Sequence, residues 1–112
     1  MVTKRLQRNA GVLRALMRTS AVARNAVLSV AKRDLVLAIV DCAKLIIKRK
    51  VPLTAAQLRK LRAIGNDIKT FVSRNTSHDV RRQTLQTGGF LGALIGPVLS
   101  MLPNIIGSLL TR

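Results

Sequence analysis

From Gly88 to Thr111 the chain carries no ionisable side chain, whereas residues 1 to 87 carry nineteen of its twenty Lys and Arg and all four aspartates. Any fold must reconcile a strongly cationic polypeptide with an uncharged apolar one, and 112 residues allow one small domain in which to do so. The formal net charge of +16 opposes compaction by self-repulsion unless anions lie close by. A polyanionic partner is therefore expected, either double-stranded DNA or an anionic membrane. The start of the chain is broken by Arg8, Arg14, Arg18 and Arg24 before any apolar stretch long enough for a signal peptide, and the basic character continues through Arg82 instead of stopping at a cleavable boundary. Cys42 is the one cysteine, so no intrachain disulfide is expected and a buried thiol is.

The pattern predicts helix almost throughout. Over 4–20, Leu6, Ala10, Leu13, Leu16 and Met17 recur at spacings of three and four, with Lys4, Arg8, Arg14 and Arg18 largely beside them. This stripe is thin and rich in alanine, and a helix of that length is marginal unless it packs on a partner. A second helix is expected over 23–50, built on the apolar run Leu35 to Val40 and on Leu45, Ile46 and Ile47. On a helical wheel Asp34, Asp41, Lys44 and Lys48 share one narrow arc, which makes this the central core helix. Val51-Pro52 ends it, because the residue before proline is driven out of the helical region. Thr54 three residues ahead of Gln57 is a capping-box signature that opens a third helix over 55–74, with Leu61, Ile64, Ile68, Phe71 and Val72 on its apolar side. A short basic helix over 78–86 follows, with Thr76 and Asp79 as a weaker cap, and Gly88-Gly89 marks a hinge.

The remaining segment, 88–112, is expected to be an apolar helical arm interrupted by Gly and Pro. Its uncharged stretch exceeds 20 residues, about what a hydrocarbon core requires. Pro97 and Pro103 argue against a span, and Gly92, Gly96, Ser100, Asn104 and Ser108 recur as a small or polar track. The opposite face holds Phe90, Leu91, Leu94, Ile95, Val98, Leu102, Ile105, Ile106 and Leu109, which are expected to contact a membrane or protein partner, or else to fold back as core. The fold class is thus all-α: a small bundle of basic amphipathic helices over 1–87 with a detachable C-terminal arm.

Chemistry has little raw material here. There is one histidine, His78, expected as a surface residue at a helix start; there is no glutamate, and the four aspartates form no close pair in sequence. No catalytic residue, metal ligand set or cofactor is expected, since no base accompanies the hydroxyls and no glycine-rich phosphate loop with a following Lys is present. Nucleic-acid readers that stack on bases need aromatic platforms, and Phe71 and Phe90 are the only aromatic residues. Sequence-independent phosphate neutralisation remains, with Arg59, Lys60, Arg62, Lys69, Arg74, Arg81 and Arg82 as the expected contacts.

The run Leu35 through Ile47, then Lys48-Arg49-Lys50-Val51-Pro52-Leu53-Thr54, an Arg/Lys-rich helix, and Gly88-Gly89-Phe90-Leu91 opening an apolar segment resembles small basic proteins of adintoviruses and of Polinton (Maverick) elements. Those proteins are likened in turn to the mu or X type core protein of adenoviruses, which condenses DNA inside the capsid. The resemblance spans residues 35 to 110. It implies a non-enzymatic virion component between genome and shell, present in the host nucleus or at a membrane during infection, with capsid proteins as further partners and oligomers allowed. Adenoviral precursors carry a cleavage site of the type Leu-X-Gly-Gly. Here Leu85-Gln86-Thr87-Gly88-Gly89 has one residue more, so processing does not carry over. Two other readings use the same charges: a membrane-lytic or membrane-anchoring protein that recognises anionic lipid, and a basic chromosomal or organellar accessory protein.

Overall fold

The computed structural model describes residues 3–86 and the helix 90–110, except for the side chains of 101–110. The chain forms α1 (Lys4–Arg18), α2 (Ala21–Ser29), α3 (Arg33–Ile47), α4 (Ala55–Ala63), α5 (Gly65–Val72), α6 (His78–Leu85) and α7 (Phe90–Leu110), with no strand among the described residues. The proposed hinge at Gly88-Gly89 and the side chains of Leu102, Ile105, Ile106 and Leu109 lie outside the described residues.

Helix α3 is the axis of the bundle. It packs against α1, α5, α6 and α7, and α7 also packs against α1, α4 and α6. Its residues Val36, Ala38, Ile39, Cys42 and Ala43 are fully buried, as expected of a helix enclosed by others. Asp34 in its first turn and Lys44 in its last complement the helix dipole. Asp41 departs from the solvent arc assigned to it and is buried among these residues. Its carboxylate accepts from Nε and Nη2 of Arg5, at 3.0 and 2.9 Å, and from the hydroxyl of Thr3 at 2.8 Å. A buried carboxylate needs such partners, and the pair fixes α1 along α3. Thr3 also caps α1 by accepting from the Leu6 amide, while Leu6, Ala10, Leu13 and Leu16 fill the seam.

The structure corrects the detachable arm. Phe90, Leu91, Leu94, Ile95 and Val98, expected on a membrane or partner surface, are buried core residues of the same bundle. Phe90 meets Phe71 edge to face with ring centroids 5.4 Å apart. Burying a large apolar side chain contributes roughly 1.5–3 kcal/mol, so these five supply on the order of 10 kcal/mol before the entropy of ordering is subtracted. That is comparable to the whole net stability of a small domain, and detachment of this segment would amount to unfolding. Of the small-residue track, Gly92 faces protein, where a Cβ would meet the terminal methyl of Met17 at 3.5 Å, while Gly96 has open space beside it and Ser100 is exposed. Among the described residues no helix is long and apolar enough to cross a membrane.

Two long helices expected from periodicity are each broken. The 23–50 segment divides at Val30–Lys32, where no Gly or Pro signals a stop. The orphaned carbonyls there take donors from α6: Arg82 binds the Ser29 oxygen, and the His78 ring nitrogen Nε2 lies 3.1 Å from the Ala31 oxygen. The 55–74 segment turns at Ile64, directly before Gly65, the weakest helix former within it. The Thr54–Gln57 capping box is formed in both directions. At α6 the cap is Ser77, whose hydroxyl accepts from the Val80 amide, and the Thr76 hydroxyl turns back to the Thr70 carbonyl.

Replacing Leu94, which is 0 % exposed, by alanine is expected to lower the unfolding free energy by about 3 kcal/mol in a urea titration. Removing residues 90–110 is expected to abolish cooperative unfolding; a truncated chain that melts as sharply as the full one would refute this packing. A second expectation concerns acid. Asn9 and Arg8 hold the Asp34 carboxyl below the usual carboxylate range by hydrogen bonds, and Arg82 does the same for Asp79. Both pKa values are depressed by folding, so their contribution is present above the unfolded value, near pH 4, and is lost as pH falls through the folded ones. The melting temperature should decline below about pH 4, and less steeply in Asp34→Asn.

Candidate polyanion-binding surface

Three of the four aspartates are held in ion pairs, Asp41 with Arg5, Asp34 with Arg8 and Asp79 with Arg82. These pairs lie on α1, on α3 as far as Asp41, and on α6. Between residues 44 and 76 the balance is different. Lys44, Lys48, Arg49, Lys50, Arg59, Lys60, Arg62, Lys69 and Arg74 are all exposed, Asp67 is the single acidic residue, and no ion pair involves any of them among the described residues. Local neutralisation is therefore confined to one part of the bundle. The end of α3 together with α4, α5 and the loop after α5 presents a nearly uncompensated cationic surface.

Five of the seven residues expected to contact phosphate, Arg59, Lys60, Arg62, Lys69 and Arg74, stand on this surface. Arg81 and Arg82 do not, and their role is corrected. Arg81 donates to the carbonyls of Phe71 and Ser73 at 2.8 Å each, closing the C-terminal end of α5, and burial lowers its pKa. Arg82 joins Asp79 and Ser29. Arg24 closes α1 in the same manner through Leu16 and Thr19. Helix C-termini carry unsatisfied carbonyls and partial negative charge, so Arg81 and Arg82, expected as ligands for an external anion, serve the chain's own helix ends, as Arg24 does.

Sequence reasoning missed Lys44, Lys48, Arg49 and Lys50. The signal was present as a Lys-Arg-Lys run directly before Val51-Pro52, but the residues were absorbed into the expected helix. The structure ends α3 at Ile47 instead. The Lys50 amide donates to the Leu45 carbonyl at 2.9 Å and the Arg49 amide to the Ile46 carbonyl at 3.0 Å, the Schellman pattern. That pattern places its pivotal residue in the left-handed region, and Arg49 occupies it with φ 55°. Glycine is the ordinary occupant because a Cβ crowds the carbonyl there. Arginine at this position holds a guanidinium on the cationic surface at the expense of backbone strain.

Two grooves border the surface. One, of about 520 Å³, separates α4 from α7 and is lined by Gln57, Lys60, Ala63, Gly92, Gly96 and Pro97 among others. The second, of about 290 Å³, lies where the end of α3 meets α4 and α5. Its walls are Ile46, Ile47, Leu53, Leu58, Leu61 and Ile68, with Arg49, Arg62 and Lys69 as its charged members. No group of three or more metal-ligating side chains occurs among the described residues. The Cys42 thiol is pushed up to about 12 by burial and by Asp41, so it remains protonated and unreactive at neutral pH. Both phenylalanine rings are in the core and present no face to a nucleobase. No family model, curated protein or solved structure matches the chain.

Arg49→Gly is expected to raise the unfolding free energy by about 1 kcal/mol, because it removes left-handed strain that exceeds the entropy glycine adds to the unfolded chain. Denaturant midpoints of the two proteins measure it directly, and a destabilised variant would contradict the strained assignment.

Proposed function

We propose that this protein is a non-enzymatic DNA-binding component that holds duplex DNA by neutralising phosphates, without reading base sequence. The observation that carries the reading is the concentration of nine exposed cations over residues 44 to 76 beside the single carboxylate of Asp67. Arginine and lysine on short helices and their ends suit phosphate, arginine by bidentate hydrogen bonding and lysine as a point charge. Burial of both phenylalanines favours backbone contact over stacking. Binding of this type would also relieve the self-repulsion of a +16 chain.

The virion setting implied by the resemblance to adintovirus and Polinton proteins belongs to the same proposal: a small cationic bundle that screens packaged DNA needs charge and compactness more than it needs specificity. The membrane-active reading requires Phe90, Leu91, Leu94, Ile95 and Val98 to leave the core, at the free-energy scale of unfolding.

Anisotropy titrations of two labelled duplexes of unrelated sequence test the proposal. Both duplexes should bind equally. With about eight phosphate contacts, the logarithm of the affinity should fall against the logarithm of salt concentration with a slope of roughly −7. Replacing Arg59, Lys60 and Arg62 together by glutamine should reduce that slope by roughly 2.7. Affinity that ignores salt, or a slope that the triple replacement leaves unchanged, would reject the reading.

A further inference from the structure

The groove between the end of α3 and the α4–α5 pair combines an aliphatic interior with a cationic edge. Ile46, Leu61 and Ile68 lie at its base and are almost fully buried, whereas Ile47 on its margin is 51 % exposed. Arg49, Arg62 and Lys69 come to it from three different elements, and none is engaged in an ion pair among the described residues. Among the lining side chains there is no hydrogen-bond acceptor: each is aliphatic or cationic, apart from the bare backbone at Gly65. A peptide strand or loop laid in such a groove would leave its amide hydrogens without partners, at a free-energy cost of about 1–3 kcal/mol for each one buried. A hydrocarbon chain has no such groups. Three cations among the lining residues suit a phosphate better than a carboxylate, since a phosphate offers more acceptor oxygens and more negative charge. The volume of about 290 Å³ lies at the lower limit of small-molecule sites.

We infer that this groove is a binding site for a monomeric single-chain amphiphile, an alkyl or acyl chain of medium length ending in a phosphate, with the chain against Leu61 and Ile68 and the head between Arg49, Arg62 and Lys69. The inference goes beyond DNA binding and rests on the groove's shape and composition, not on the wider cationic surface. It also gives the strained arginine at the end of α3 a role, because glycine there would relax the backbone and remove one of the three head-group contacts.

Calorimetric titration of the full-length protein with octyl, decyl and dodecyl phosphate, each below its micellar concentration, tests it. One site is expected. Affinity should rise about 15-fold from octyl to decyl phosphate and then level off when the groove is full. Inorganic phosphate alone should give no saturable site. Gly65→Leu supplies the discriminating variant, because a Cβ at Gly65 meets nothing within 4 Å, so the added side chain can occupy the groove without displacing its neighbours. It should remove the dependence on chain length while duplex DNA retention is unchanged. Ile47→Gln, at the exposed margin, should weaken alkyl phosphate binding several-fold without disturbing the fold. Equal affinity for all three alkyl phosphates, or full chain-length dependence in Gly65→Leu, would overturn the site. Two further results would assign the groove to another occupant and overturn it equally: binding to anionic phospholipid vesicles that persists in 0.5 M salt and is lost in Gly65→Leu, or a dimer in sedimentation that this variant dissolves. Loss of DNA binding with the alkyl phosphate series intact would reject the proposed function and leave the groove assignment standing.

Discussion

The bundle depends on the contact between the first half of α7 and the helices α3 and α1. Phe90, Leu91, Leu94, Ile95 and Val98 enter a cleft that the other helices cannot close without them, and the edge-to-face pair of Phe71 with Phe90 ties the same face to α5. For a domain of this size the area buried on folding is small, so a segment that supplies so much of it is structural whatever its composition resembles. An uncharged stretch following a cationic one has the appearance of an appendage. Its physical role here is to cover an otherwise exposed core. The same packing keeps Gly92 beside Met17, whose terminal methyl would lie in ordinary van der Waals contact with a Cβ there.

With compaction supplied by apolar burial, the charges are sorted by position. Two of the scarce aspartates stabilise a helix contact, Asp41 with Arg5 and Asp34 with Arg8 fastening α1 to α3, and Asp79 pairs with Arg82 within α6. Arginines at the ends of α1, α2 and α5 satisfy carbonyls that regular helices leave open. Of the remaining described cations, nine lie between residues 44 and 74, and Lys4, Arg14, Arg18, Lys32 and Arg33 stand apart from them on α1 and at the start of α3. A protein with many cations and few anions thus divides its arginines between holding itself together and facing outward, and only the second group is open to an external phosphate.

The same region carries the strained Arg49 and the aliphatic groove, and the three features share residues. Arg62 and Lys69 contribute both to the cationic surface and to the groove's lining, so an anion held in the groove would neutralise part of the surface proposed to bind DNA. Occupancy of one site would oppose occupancy of the other through ordinary charge repulsion. Strain at Arg49 fits this arrangement, because a position that favours glycine on steric grounds is held by a side chain with a charge to present.

Much of the secondary structure was legible in the sequence because its causes are local. Helical periodicity and the Thr54–Gln57 capping box depend on residues within a turn or two of one another, whereas the stop expected at Val51-Pro52 comes earlier, at Ile47. The apolar stripe Leu6, Ala10, Leu13 and Leu16 was visible on the same grounds, as was the central place of α3. What the sequence alone left open was decided over long separations. The break between α2 and α3 takes donors from His78 and Arg82, 47 and 53 residues away from the carbonyls they meet, and no local signal announces such partners. Asp41 shared an arc with surface residues until Arg5 and Thr3 were brought beside it. Likewise Arg81 and Arg82 had the same composition signature as Arg59 and Arg62, and only their proximity to helix ends distinguished them. Whether the apolar C-terminal segment served lipid or core was ambiguous for the same reason: hydrophobicity fixes that a surface avoids water, and the tertiary fold fixes what covers it.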